Sequence, residues 1–166
     1  GKNYRFNGNF ELDYKFHFFP ALRAVVNVGF DEAKGERTKL VGTNAATAAA
    51  NNNIPYGTEE YSESMRKNKL LDTYLVYNKT FNNLVFDFTA GYSYQKWDSD
   101  YYYSNNVLNP NYAGPTRVVE WDRVLISYFG RSNLNFYNKY LLTLTLRRDA
   151  SSKFDAENRV GYFPGL

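Results

Sequence analysis

Cysteine is missing altogether from these 166 residues, and histidine occurs once, as His17. Without a thiol there is no disulfide framework, no thiolate nucleophile and no thiolate metal site, and one imidazole cannot make a His pair for a metal. A glycine-rich phosphate loop is absent too, so any catalytic site would have to be built from carboxylates alone. Asp149, Asp155 and Glu157 lack the dense oxygen-ligand spacing of a calcium loop and read as loop acids paired with Arg147, Arg148 or Arg159. No catalytic residue, metal or cofactor is therefore expected. Long hydrophobic runs are lacking as well: nothing approaches the roughly 18 consecutive apolar residues of a spanning helix, so a membrane location has to be reached by strands. Nor does charge of one sign dominate. The 20 Lys and Arg against 17 Asp and Glu are spread along the chain with no basic block, and no nucleic-acid partner is expected.

What the chain does have is aromatic residues, 19% of the total with 16 Tyr and 13 Phe, at a mean hydropathy of -0.59. That pairing fits strands that are half polar. In YRFNGNFELDYKFH, one set reads Tyr4, Phe6, Gly8, Phe10, Leu12, Tyr14, Phe16 and the interleaved set reads Arg5, Asn7, Asn9, Glu11, Asp13, Lys15, His17. A strand sends these sets to opposite faces, so one face is greasy and the other wholly polar. ALRAVVNVGFD repeats the pattern with Leu22, Ala24, Val26, Val28 and Phe30 against Arg23, Asn27 and Asp31, which makes a first hairpin. LLDTYLVYNKTF, of open parity, turns near Asn82 and Asn83 into LVFDFTAGYSYQKW. WDRVLISYFGRSNLNFYN and YLLTLTLRRD form a third hairpin about a turn at Asn138 and Lys139. The reading is all-β: about six antiparallel strands in three hairpins.

The stretches between hairpins, 32–68 with its low-complexity piece VGTNAATAAANNN and 98–120 with its tyrosines and two prolines, read as long loops. Tight turns thus alternate with long loops, as expected when one rim of a transmembrane β-barrel faces the periplasm and the other the outside. Several strands also have the pattern for a dozen residues, against about 5–6 in soluble proteins. A soluble β-sandwich binding module remains an alternative at this point, with its apolar faces turned to a core.

The third hairpin and its sequel carry YFGR (Tyr128 to Arg131), KYLLT (Lys139 to Thr143), RRDASSKF (Arg147 to Phe154) and NRVGYFPG (Asn158 to Gly165). This stretch resembles the SusC/RagA family of TonB-dependent outer-membrane transporters, whose members show R-x-D-G-S-S-[RK]-F followed by N-[RK]-x-G-x-F-P. Ala150 stands where glycine is usual. NFELDYKFHFFPALRAVVNVGFD resembles an earlier barrel hairpin of that family. The resemblance implies that residues 1–166 are part of a 22-stranded, plugged barrel whose plug and N-terminal region lie elsewhere, with 32–68 and 98–120 as extracellular loops. It implies energy-coupled import of oligosaccharides or peptides across the bacterial outer membrane, with a SusD-like surface lipoprotein, TonB acting through the plug, and the lipid bilayer as partners. A non-transporting barrel or surface adhesin is the alternative. Substrate or partner contact falls to Trp97, Tyr101, Tyr102, Tyr103 and Trp121, whose rings offer stacking surfaces for sugars or peptide side chains at the outer rim. The competing role for them is to brace the loop.

This segment expressed alone is expected to give no monomeric soluble fold, because its outermost strands lack partners and its apolar faces lack lipid. A sharp, dispersed NMR spectrum in detergent-free buffer would contradict it.

Overall fold

A computed structural model describes residues 1–45, 57–107 and 116–166. They form one antiparallel sheet in the order β1-β2-β3-β4-β5-β6-β7, so every neighbour in sequence is a neighbour in space. The strands are β1 (Lys2–Lys15), β2 (Leu22–Val41), β3 (Thr58–Phe81), β4 (Leu84–Val107), β5 (Thr116–Phe136), β6 (Tyr140–Ser151) and β7 (Val160–Gly165). Among the described residues there is no α-helix, and the β6–β7 connection holds a single 3-10 turn, Ala156–Asn158.

Three expectations are corrected. The sheet has seven strands rather than six, because NRVGYFPG pairs with β6: Arg148 lies opposite Tyr162 and Ala150 opposite Val160. The regions expected as loops are largely strand, since β2 runs on to Val41, β3 begins at Thr58, β4 continues to Val107 and β5 starts at Thr116. Loss of apolar alternation after Phe30 marks the end of an apolar face, but backbone pairing needs none, so the ladder continues. The rest of VGTNAATAAANNN beyond Ala45, and both prolines of the second region, lie outside the described residues. Third, the last tight turn is centred on Tyr137 and Asn138, whose φ of 54° and 56° are left-handed, rather than on Asn138 and Lys139. The turn at Asn82 is placed as expected, with φ 49°.

The described residues gather into two compact units. One contains residues 7–30, 68–97 and 123–166. Here the two-residue period is kept strictly, and the open parity of β3 is settled: Asp72 accepts from Ser93 and Asn78 meets Asp87 on one face, while Leu75 and Tyr77 lie on the other. The apolar face is uncovered. Tyr140, Phe10 and Leu146 are 72%, 64% and 55% exposed, and among the described residues the one fully buried apolar side chain, Val25, belongs to the polar set. Each large apolar side chain left in water forgoes about 1.5–3 kcal/mol. A dozen of them outweigh the roughly 5–15 kcal/mol that stabilises a whole soluble domain. The face needs an apolar medium, and no second layer of the described residues supplies one.

Aromatic rings edge this face. Phe19 stacks on Tyr77, and Tyr77 meets Phe86, near the tight turns; Tyr92 meets Tyr128 farther along β4 and β5. From Tyr140 to Ala150 is ten steps, about 34 Å along the strand, which at the usual tilt of about 45° matches an apolar band about 25 Å tall. The second unit takes residues 1–6 and the described parts of 31–67 and 98–122. In DEAKGERTK, EEYSES and DSDYYYSNN neither alternating set makes a continuous apolar face. The 24 residues of β4 run about 80 Å, whereas a transmembrane strand needs about 9–11 residues.

Phe88 and Thr89 are adjacent on β4 and point opposite ways. A spin label on a cysteine at position 88 of the full-length protein is expected to be reached by a lipid-soluble quencher and shielded from a water-soluble one, with the reverse at position 89. Phe88→Arg should cost about 2–4 kcal/mol near the midplane and reduce the heat-modifiable folded band, whereas Thr89→Arg should fold. Shielding of position 88 from both quenchers would place it in a protein core.

Candidate functional site

The polar face is the chemically active side of the sheet, and its side chains serve one another across strands. In the first unit Arg23 donates to Asp13 at 2.9 Å, Gln95 to Asn68 at 3.2 Å and Thr143 to Asn133 at 3.0 Å. Tyr74 and Phe129 close over Gly91, where an added Cβ would lie 2.5 Å from the Tyr74 Cβ and 2.7 Å from the Phe129 ring. Two large rings are therefore seated on the polar wall only because position 91 has no side chain.

The RRDASSKF segment builds the β6–β7 connection. Arg147 donates to Asp149 at 2.7 Å and to the buried Ser127 hydroxyl at 3.2 Å. The Ser152 amide donates to the Val124 carbonyl at 2.9 Å, and the Val124 amide donates back to the Ser152 hydroxyl at 2.8 Å. Arg159 donates to the Phe154 carbonyl at 2.9 Å. Thus Arg147, Asp149, Ser152 and Arg159 hold a corner of the sheet in place; Asp149 pairs with Arg147 as expected, but it stands in strand β6 rather than in a loop. Ala150 replaces the usual glycine inside β6, opposite Ile126 and Val160, where extended backbone accepts any side chain. Beside this corner lies a hollow of about 430 Å³ that Arg123, Lys153 and Arg159 make basic and Phe154 and Phe163 make aromatic. Sequence reasoning passed over it, because its cations come from three separate segments.

The five aromatic candidates are not one cluster. Trp97 is half-buried in the first unit, with the Arg123 guanidinium 4.1 Å above its ring. In the second unit β4 remains a strand through 101–103, so alternation splits the tyrosines. Tyr102 turns to the face where its ring meets Tyr61 at 6.0 Å, while Tyr101 and Tyr103 point the other way. Tyr102 thus lies on the opposite face of β4 from Tyr101 and Tyr103. Trp121 is 53% exposed and borders a hollow of about 480 Å³ shared with Lys67, Asp98, Asp100, Glu120 and Asp122.

Ion pairs order the second unit, Lys39 with Glu60 at 3.3 Å among them. Arg5 grips Asp31 with two bonds, at 2.9 and 3.1 Å, and holds that carboxyl below its ordinary value. Lys34 bridges Glu36 and Glu63 at 3.0 and 3.3 Å. Tyr61 donates to Glu63 at 2.8 Å, and this bond first, then Lys34, lowers the Glu63 pKa, while the Tyr61 phenol is raised.

No family model matches the chain. The TonB-dependent receptor SusC of Bacteroides thetaiotaomicron is 34% identical over 172 residues, taking in 97% of this chain and 16% of SusC. It is a SusC/RagA-like barrel segment. TonB-dependent receptor P3 of Formosa agariphila is 29% identical over 167 residues, covering 91% of this chain and 16% of the receptor. The structure of the RagAB peptide transporter superposes with a TM-score of 0.81 at 15% identity, covering 98% of this chain and 19% of that one, which establishes the fold. The SusC/RagA-like segment therefore spans about a sixth of the length of these relatives. Its place is the bacterial outer membrane, and its relatives are receptors and transporters rather than enzymes.

A depressed carboxyl stabilises the folded state above its unfolded pKa, about 4.3 for Glu, and the contribution is lost as pH falls through the lower folded value. Hydrogen exchange at residues 58–66 of the full-length protein should therefore show steady protection from pH 7 to about 5 and loss below about pH 4. Glu63→Gln should flatten that acid limb, and an unchanged limb would remove Glu63 from its cause.

Proposed function

We propose that this sheet is part of the wall of an outer-membrane barrel that imports oligosaccharides or peptides by TonB-dependent transport, capped by a SusD-like surface lipoprotein. The observation that carries the reading is the joint one: 34% identity to SusC along 97% of the chain, on a sheet with one lipid-ready face and one hydrogen-bonded polar face. The tight turns at Asn82 and Tyr137 then face the periplasm, and the connections between Val41 and Thr58 and between Val107 and Thr116 face outward. A plug lying in the rest of the protein would do the gating.

On this reading the polar wall offers solute two kinds of contact. Trp97 with its Arg123 cap, and Tyr101, Tyr103 and Trp121, provide aromatic surface; the hollow at Arg123, Lys153 and Arg159 provides positive charge. Tyr102, turned to the Tyr61 side, is a brace or a partner contact rather than a solute contact.

Uptake of labelled malto-oligosaccharides and of labelled peptides by cells carrying or lacking the full-length gene tests this directly. One of the two is expected to require both the gene and an energised TonB system. Trp121→Ala should raise the concentration for half-maximal uptake about three- to tenfold, in keeping with loss of one stacking ring, with the folded band unchanged. Equal uptake with and without the gene, alongside binding of cells to a surface that needs it, would favour the adhesin.

A further inference from the structure

On the lipid-facing side of the first unit, one side chain does not belong to an apolar band. Arg148 in β6 lies directly opposite Tyr128 in β5 and opposite Tyr162 in β7, so the register sets the guanidinium in a row between two tyrosines. Its guanidinium carbon is 5.8 Å from the Tyr128 ring, and Tyr92 continues the row at 5.3 Å from Tyr128. The next residues of the same face, Ile126, Ala150 and Val160 on one side and Gly130, Leu146 and Pro164 on the other, include no acid. Among the described residues Arg148 thus meets the Tyr128 ring and no acid in these neighbouring rows, and it sits one row short of the end of the apolar band, within reach of the headgroup level.

The second observation is a trough leading away from that row. Gly130 faces open space, with no atom within 4 Å of where a Cβ would stand, and Ser132 follows it on β5. Opposite them across β6 stand Leu146 and Leu144, and Phe88 closes the far side, so small residues on one strand form a channel floor between larger apolar walls. The hollow measures about 520 Å³ and ends at Arg148 and Tyr162.

We propose that this trough and its arginine form a binding site for one phosphate-bearing acyl lipid, with an acyl chain along Gly130 and Ser132 and the headgroup phosphate on Arg148, where the Tyr128 and Tyr162 hydroxyls add donors. Cation and channel are collinear on one face, which fits a lipid that is anionic at one end and apolar at the other; free phosphate would use only the first. The site rests on the face meeting lipid and is independent of what the barrel transports.

Native mass spectrometry of the full-length protein in detergent tests it, with dioleoyl phosphatidylglycerol, dioleoylglycerol and inorganic phosphate as probes. Wild type is expected to retain one phosphatidylglycerol at least tenfold better than dioleoylglycerol. Arg148→Gln should lower that retention about tenfold, and Gly130→Leu, which fills the floor and leaves the charge, about fivefold or more. Inorganic phosphate in excess should leave the bound lipid in place. Heat modifiability of both variants separates loss of the site from loss of the barrel, and a shielded label at position 88 would overturn the lipid-facing premise instead. Equal retention by wild type and both variants, equal retention of the two lipids, or displacement by inorganic phosphate would each overturn the proposal.

Discussion

Cross-strand backbone hydrogen bonding is the constraint on which everything else in this sheet depends. A strand that crosses a bilayer has no water to satisfy its amides and carbonyls, so each must find a partner on the next strand. The meander order provides this with the shortest connections available. Once that ladder exists, side chains are free to differ completely on its two sides. One side becomes an uncovered apolar surface, while the other becomes a wall where Arg23 with Asp13, Gln95 with Asn68 and Thr143 with Asn133 satisfy one another. It also explains why β2 to β5 continue where neither set is apolar: pairing holds a strand together after its amphipathic reason has ended.

That separation decides what was legible in the sequence. Alternation is a statement about the medium on each face, so it located β1, the first half of β2, most of β4 and the β5–β6 hairpin where one face is greasy. It is silent in DEAKGERTK and EEYSES, whose composition reads as loop although both are strand. β7 escaped for a different reason. Its six residues contain two glycines and a proline, too few alternating groups to show a period, and only pairing of Arg148 with Tyr162 and Leu146 with Pro164 defines it.

The candidate site was legible as residue types and illegible as a grouping. Aromatic rings near the loops stand out in any reading, but whether Tyr102 shares a face with Tyr101 depends on whether that stretch is strand, which its composition hides. The cap of Arg123 on Trp97 and the basic hollow beside it join residues from separate segments, and no local spacing announces them. The RRDASSKF segment is the reverse case. It was conspicuous as a motif, and its side chains turn out to fasten a corner, through Arg147 on Ser127 and Ser152 on Val124.

The tight-turn rim is itself stitched together by backbone: the Tyr137 amide donates to the Asn83 carbonyl at 2.7 Å, and the Asn78 amide to the Ala21 carbonyl at 2.9 Å. Each turn is thereby keyed to the neighbouring strand as well as to its own hairpin. One residue gained or lost there would shift a strand by one position and exchange its lipid and lumen faces. A change of length is therefore better absorbed in the connections after Val41 and Val107 than at these turns, and the sheet beside them keeps its count.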